Sequence, residues 1–249
     1  MSTSAPGLSS RVVVTFDPNA PDNAALELAL RLAPGGQVAG LLGLYVEETD
    51  ALTLGEFPWA REIATATAES RPLDTASVER HYRQRSAAAR ALFEAALGGT
   101  AGARFESVRG HLPEALTRLA RDAAGVLMDW PAASRRSRPR ATSVVEALLQ
   151  LPAPLVGLIE PRAFGSATIL IVAGEEPSDG ARALARQLAG STNSRIRMAG
   201  GPLTAAAIMA RGRLEAAGTL LVRRKAAGGD ESMLAELALD WPGSLLLLR

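Results

Sequence analysis

The sequence contains no cysteine and only two histidines, His81 and His111, and aromatic residues make up 4% of its 249 residues. The absence of cysteine excludes disulfides, zinc-thiolate sites, iron–sulfur clusters and cysteine nucleophiles. Two histidines are too few for a multi-histidine metal centre, and we expect no metal site. No G-x-S-x-G elbow, Walker loop or nucleic-acid-binding motif is present.

An excess of one charge and long apolar runs are also missing. The 27 Lys+Arg and 26 Asp+Glu nearly cancel, so the sequence as a whole has no electrostatic reason to bind nucleic acid or an anionic membrane. No run approaches the roughly 18–20 consecutive apolar residues of a membrane span. Residues 1–10 lack the charged and apolar regions of a secretion signal. We therefore expect a soluble cytoplasmic protein.

What is present is an alternation of short apolar runs with amphipathic segments, which is typical of a parallel sheet covered by helices. The predicted strands of the first part of the chain are 12–16, 38–46, 105–108, 126–128 and 155–159. The predicted helices that follow the second, third and fourth of these strands are 75–97, 113–124 and 143–149.

The second part of the chain repeats the first in reduced form. A shift of 156 residues superimposes Pro21 on Pro177, and a shift of about 91 residues superimposes Gly110 on Gly201. The difference of about 65 residues is the length of one strand and the long helix, so the copy has about four strands where the first part has five. We expect a complete domain over residues 1–163 and a reduced domain over residues 164–249.

Three segments of the first part resemble the universal stress protein family. They are 11–17, a first strand ending in aspartate; 108–116, a strand, glycine turn and helix; and 142–156, the last helix and strand. Residues 45–48 and 54–62 resemble an insertion of some tandem members. The resemblance implies two open parallel α/β sheets of the adenine nucleotide alpha hydrolase-like class, the second reduced, with ligands at the carboxyl ends of the strands. It also implies pairing through the last strands, either in a homodimer or in an internal pseudo-dimer.

The phosphate loop is where the sequence departs from the family. Nucleotide-binding members carry Gly, two residues, Gly, nine residues and then Gly followed by Ser or Thr. These glycines let the backbone curl around phosphates at a helix start. The matching positions here are Asp129, Ala132, Thr142 and Ser143. Because the glycines are missing and Asp129 adds negative charge beside a polyanion, we expect that family-type ATP binding has been lost.

Other positions of the family's nucleotide site have structural alternatives. Asp17 matches the aspartate that contacts the nucleoside, but an aspartate before Pro18 also serves to turn the chain. Val46 is a further matching position. Ser143 and Glu146 form a Ser-x-x-Glu pattern, which predicts a capping box at the start of a helix.

Basic runs follow the fourth strand of the first part and its counterpart in the second. The first run contains Arg135, Arg136, Arg138 and Arg140, and the second contains Arg223, Arg224 and Lys225, the only lysine of the chain. Arginine forks bind phosphate and carboxylate without a glycine cradle. The runs therefore predict either a side-chain anion site, or a docking surface for an acidic protein, or simply solvated loops.

Three further features have a structural and a functional interpretation. We expect His81 and His111 to be surface residues. Glu47, Glu48 and Asp50 form an acidic segment that we interpret as solvated, since the sequence offers no further metal ligand near it. The segment from Phe57 to Trp59 predicts a loop anchored in the core, or a partner site if it is exposed.

These observations predict a stress-linked regulatory protein that is not an enzyme and needs no cofactor. The alternative is an ATP- or AMP-binding stress protein with slow hydrolysis, in which Asp17, Ser143 and the loop arginines replace the glycines. The apolar segment 245–248 is predicted to form a last strand that pairs within the pseudo-dimer or between chains.

Overall fold

The computed structural model describes residues 11–16, 23–32, 40–63, 67–98, 102–136, 138–163, 168–172, 178–192, 195–200, 204–224 and 231–249. The strands are β1 (Val12–Phe16), β2 (Leu41–Glu48), β3 (Arg61–Ile63), β4 (Ser70–Pro72), β5 (Arg104–Gly110), β6 (Gly125–Asp129), β7 (Leu155–Ile159), β8 (Thr168–Val172), β9 (Arg195–Ala199), β10 (Thr219–Arg223) and β11 (Ser244–Leu248). The helices are α1 (Ala24–Leu32), α2 (Thr49–Gly55), α3 (Thr75–Leu97), α4 (Leu112–Leu119), α5 (Arg138–Gln150), α6 (Asp179–Thr192), α7 (Ala205–Leu214) and α8 (Glu231–Asp240).

Nine strands form one sheet in the order β5-β2-β1-β6-β7-β11-β10-β8-β9. The prediction of two separate sheets is therefore wrong, although the mainly parallel α/β class is confirmed. The merging takes place between β7 and β11, the one antiparallel pair in this sheet as described. An exposed strand edge offers unpaired backbone groups, and pairing β7 with β11 removes one such edge from each half.

This seam is tightly packed. Gly157 lies opposite Leu246 in the register of β7 and β11. A Cβ atom on Gly157 would lie 2.6 Å from Leu127 Cδ2 and 2.9 Å from Leu246 Cδ2. A side chain at position 157 would therefore require the buried side chains of Leu127 and Leu246 to move.

The order of the strands explains the reduced second half. In the first half β2 lies between β1 and β5, whereas in the second half β9 pairs directly with β8. Within the described ranges, the second half therefore lacks counterparts of β2 and α3. This is the segment whose absence the change in repeat shift predicts. The edge strand β9 is correspondingly exposed along most of its length.

Helices cover both faces of the sheet and bury two apolar clusters, one on each face. The predicted bounds of the long helix are those of α3, which Asp74 caps by accepting a hydrogen bond from the Ser77 N–H at 2.7 Å. Among the described helices, none combines the length and the apolarity that a bilayer crossing requires.

The start of α5 corrects one sequence prediction. Helix α5 begins at Arg138, so Ser143 lies inside it and the predicted capping box is wrong. The Ser143 hydroxyl donates to the Pro139 carbonyl at 3.2 Å, one turn earlier in the same helix. Pro139 stands in the first turn, where its missing N–H costs nothing.

Candidate functional site

A cavity of about 750 Å³ opens at the carboxyl ends of β1, β2, β6 and β7. This is the edge of a parallel sheet at which ligands bind in open α/β folds. Its walls include the apolar side chains of Leu44, Val46 and Met128. The segments 129–136 and 160–163, which follow β6 and β7, form much of its rim.

The structure brings some of the predicted site residues to this cavity and not others. Those that line it are Val46, Asp129, Ala132, Arg135, Arg136 and Arg140. Arg138, Thr142 and Ser143 are not part of the lining, and Ser143 lies instead with Glu146 in a shallow groove beside α4. Asp17 falls outside the described residues, so its predicted role stays a prediction.

Asp129 lies at the end of β6 and is only 3% exposed. Its Oδ1 accepts a hydrogen bond from the Ala25 backbone N–H at 2.9 Å, in the first turn of α1. The first N–H groups of a helix have no partner within the helix, and they attract anions. The Asp129 carboxylate therefore occupies a position that would otherwise suit an external anion.

Trp130 and Arg135 tie the loop after β6 to the end of α8. The Trp130 indole Nε1–H donates to the Ala238 carbonyl at 3.0 Å, and Arg135 Nη1 donates to the Trp241 carbonyl at 2.8 Å. Arg135 Nη2 also pairs with Glu160 Oε2 at 2.8 Å, where the two side chains are 11% and 7% exposed. Burial lowers the pKa of Arg135, and the Glu160 carboxylate opposes this shift.

The remaining arginines of this loop differ in their pairing. Arg138 pairs with Asp240, and Arg140 Nη2 pairs with Glu48 Oε1 at 2.9 Å. Arg136 and Arg162 are exposed at the cavity rim, and neither has an ion pair among the described residues. Of the four arginines in this loop, Arg136 is thus the one without an ion pair among the described residues.

Comparisons with known proteins show the fold. No family model matches the sequence, and no curated protein is similar to it. Among solved structures, a universal stress protein from Archaeoglobus fulgidus DSM 4304 matches with a TM-score of 0.54 and 10% identity, over 98% of this chain and 97% of that one. A functionally unknown protein from Pseudomonas aeruginosa PAO1 matches with a TM-score of 0.55 and 14% identity, over 97% and 93% of the two chains. A provisionally named universal stress protein from Pseudomonas aeruginosa UCBPP-PA14 matches with a TM-score of 0.54 and 14% identity, over 97% and 94%.

The chain has the fold of a universal stress protein. At 10–14% identity these likenesses establish the fold and its nearly full-length extent. The resemblance that the sequence segments indicated is confirmed at this level.

In this universal stress protein fold, one residue of the second basic run, Arg224, makes contacts in the interior. Arg224 donates to the carbonyls of Leu148, Leu149 and Leu151 at 3.4, 3.2 and 2.9 Å, at the carboxyl end of α5. Burial lowers the pKa of Arg224. The interpretation of Arg224 as part of a free anion site is therefore wrong, and Lys225 lies outside the described residues.

The contacts of Trp130 and Arg224 are reciprocal. Each residue directly follows a corresponding strand, β6 or β10, and each donates to the end of the last helix of the other half. The acceptors Ala238 and Leu148 both lie four residues before a proline, which has no N–H for the usual helical bond. Each half thus supplies a side-chain donor to the last helix of the other half, where the Leu148 carbonyl also accepts from the Leu151 N–H at 3.3 Å.

We expect Arg224→Met to lower the free energy of unfolding by about 1.5–3 kcal/mol, the range for hydrogen bonds to charged groups. The loss arises because the carbonyls of Leu148, Leu149 and Leu151 would lose their guanidinium donor. Urea unfolding followed by circular dichroism measures it. Arg213→Met, at an exposed position, is the matched control and should change stability by less than about 0.5 kcal/mol. Equal effects of the two changes would contradict the role of Arg224.

The acidic segment at the junction of β2 and α2 has a neighbour that sequence reasoning missed. His111 Nδ1 lies 3.9 Å from Glu48 Oε2 and 3.7 Å from Asp50 Oδ1. The expectation that no further ligand lies near these carboxylates is therefore wrong. The parallel register of β2 and β5 pairs Glu48 with Gly110, and it is this pairing, which the sequence does not specify, that brings His111 beside Glu48.

The aromatic segment after α2 lies at the surface. Phe57 and Trp59 stack with ring centroids 5.2 Å apart, and Trp59 is 71% exposed. The prediction that this segment anchors a loop in the core is wrong, because both aromatic rings are exposed. His81 is exposed on α3, as predicted.

Proposed function

We propose that this chain is a non-enzymatic regulatory protein with a universal stress protein-like fold that does not bind ATP in the manner of the family's nucleotide-binding members. One observation carries the proposal. The loop after β6, where those members hold phosphates, is anchored here to the chain's own backbone through Asp129, Trp130 and Arg135.

Two physical arguments support the loss of the phosphate cradle. A loop that wraps phosphates needs backbone N–H groups free to point at them, and here the residue at the first glycine position, Asp129, is itself bonded through its carboxylate to the Ala25 N–H at the start of α1. In addition, a fixed carboxylate at that position repels a polyphosphate, more strongly in a buried setting than in water.

A regulatory role through contacts with other proteins fits the surface of the molecule. Phe57 and Trp59 present a stacked aromatic pair, and Leu54 and Ile63 on neighbouring elements are 46% and 67% exposed. Exposed apolar groups of this kind are typical of interaction surfaces. A homodimer and an acidic protein partner remain the candidate assemblies.

The second candidate is an ATP- or AMP-binding protein, or one that binds another small anion. The cavity of about 750 Å³ lies in the range of small-molecule sites. Its rim carries Arg136 and Arg162, which have no ion pair among the described residues. These two guanidiniums, above an apolar floor, favour a ligand with an anionic end.

We expect purified, tag-free protein to release no adenine nucleotide when it is denatured and its supernatant is chromatographed. We also expect isothermal titration calorimetry with MgATP, ADP, AMP and cyclic dinucleotides to detect no binding tighter than about 1 mM, which corresponds to about −4 kcal/mol. Bound nucleotide, or micromolar affinity, would contradict the proposal.

The double variant Arg136→Gln with Arg162→Gln then distinguishes the two candidate functions. If the wild type binds a nucleotide, this double variant should lose that binding, whereas Arg213→Gln, at an exposed position away from the cavity lining, should retain it. That result would establish the second candidate in place of the first.

A further inference from the structure

We propose that Glu48, Asp50 and His111 form a binding site for a divalent cation of the zinc class. One ligand atom from each of these side chains lies within 4.8 Å of the others. The site lies beside the cavity rather than within it, since Glu48 lines the cavity but Asp50 and His111 do not. The inference is independent of whether a nucleotide binds.

The backbone brings the three residues together from separate elements. Glu48 ends β2, Asp50 lies in the first turn of α2, and His111 precedes α4. Gly110, the partner of Glu48 in the parallel register, has a φ of +147°. This conformation strongly favours glycine, and it turns the chain at the end of β5 so that His111 lies beside Glu48.

The two ring nitrogens of His111 face different groups. Its Nε2 lies 3.2 Å from Thr49 Oγ1, while its Nδ1 faces both carboxylates. The proposed site requires the tautomer in which Nε2 carries the proton and donates it to the threonine hydroxyl, so that the lone pair of Nδ1 is directed at Glu48 and Asp50. Metal-binding histidines typically use their second nitrogen in such an outer hydrogen bond.

The Glu48 carboxylate is also held in place. Arg140 binds Oε1 at 2.9 Å, which leaves Oε2 turned toward His111. The Glu48 side chain is 15% exposed, whereas that of Asp50 is 79% exposed. His111 and Glu48 are thus restrained by hydrogen bonds. Asp50 lies on the solvent side of the site and is free to adjust.

The donor set selects the class of cation. An imidazole with two carboxylates suits zinc and its first-row neighbours, whereas calcium and magnesium prefer oxygen ligands in larger number. Tetrahedral bonds of about 2.0–2.1 Å place ligand atoms roughly 3.3–3.5 Å apart. The separations of His111 Nδ1 from the two carboxylates, 3.7 and 3.9 Å, need to close by a few tenths of an ångström, whereas the exposed Asp50 side chain must also move toward Glu48, since the three ligand atoms lie within 4.8 Å of one another. Solvent would complete the coordination.

The test uses the full-length, tag-free chain and Co²⁺ as a spectroscopic probe, followed by Zn²⁺ competition and calorimetry. We expect about one equivalent of Co²⁺ to bind with a visible absorption band. His111→Gln and Asp50→Asn should each weaken binding by at least about tenfold, because even changes outside the ligand shell cost 10–100-fold at such sites. His81→Gln, at an exposed position on α3, is the matched control and should leave binding unchanged.

Arg140→Gln supplies a readout that a purely structural role would not move. It removes the guanidinium that holds Glu48 Oε1, and we expect Co²⁺ binding to weaken by about tenfold, as at other sites that lose an outer-shell partner. Because Asp50 is exposed, Asp50→Asn keeps the test valid even if another variant unfolds. Absence of Co²⁺ binding, or binding that survives both His111→Gln and Asp50→Asn, would overturn the proposal.

Discussion

Replacing Arg135 with methionine is expected to lower the free energy of unfolding by about 3–5 kcal/mol, the cost of leaving a buried charge without its partner. Glu160 would lose the guanidinium 2.8 Å from its Oε2, and the Trp241 carbonyl would lose its donor. Chemical unfolding followed by tryptophan fluorescence and circular dichroism measures the change. Arg136→Met, at the exposed neighbouring position, is the matched control and should stay within about 0.5 kcal/mol of the wild type.

The double variant Arg135→Met with Glu160→Met separates the energetic contribution of the ion pair from that of the hydrogen bond between Arg135 and the Trp241 carbonyl. Removing both charges of a buried pair is often close to neutral, so the double variant should recover much of the loss. A deficit of about 1–3 kcal/mol should remain, because the Trp241 carbonyl still lacks a partner. A single variant as stable as the wild type would show instead that Glu160 is adequately solvated without Arg135.

Replacing Trp130 with alanine is expected to cost about 3–5 kcal/mol, as large-to-small changes in a core do. Trp130 is 4% exposed, and its indole N–H donates to the Ala238 carbonyl. Trp130→Phe retains most of the ring and should cost about 1–3 kcal/mol, chiefly the unsatisfied carbonyl. Urea unfolding of the full chain provides the measurement.

The fold contains a control of the same residue type. Trp59 is 71% exposed, and Trp59→Ala should change the free energy of unfolding by less than about 0.5 kcal/mol. If Trp130→Phe were as stable as the wild type, the indole hydrogen bond to α8 would not contribute to joining the halves, and our interpretation of the loop as a tether would lose its main support.

Together these variants test whether the loop after β6 helps to join the two halves. The two halves share a sheet through β7 and β11, and above this seam each half donates hydrogen bonds to the last helix of the other. A loop that is used in this way has little freedom to close around a ligand. We therefore relate the proposed loss of the phosphate cradle to the joining of the halves.

Particular elements show how far the sequence alone predicts the structure. The long helix α3 matches its predicted bounds because its N-terminal cap at Asp74 and its final glycine, Gly98, are local signals. The start of α5 was missed because Ser143 and Glu146 mimic a capping box, whereas Pro139 in the first turn was the better signal. Asp129 was identified as incompatible with a phosphate, but not as the partner of the Ala25 N–H.

The sequence by itself determined the alternation of strands and helices, the repeat and its missing segment, and the absence of the loop glycines. These are local properties, since periodicity, caps and composition act over a few residues. Only the tertiary structure decided that the strands form one sheet, that Arg135 and Arg224 are used internally, and that His111 lies beside two carboxylates. Arg135 and Trp241 are 106 positions apart. Whether a charged side chain is solvated or paired depends on such distant partners, which folding brings together and local sequence does not specify.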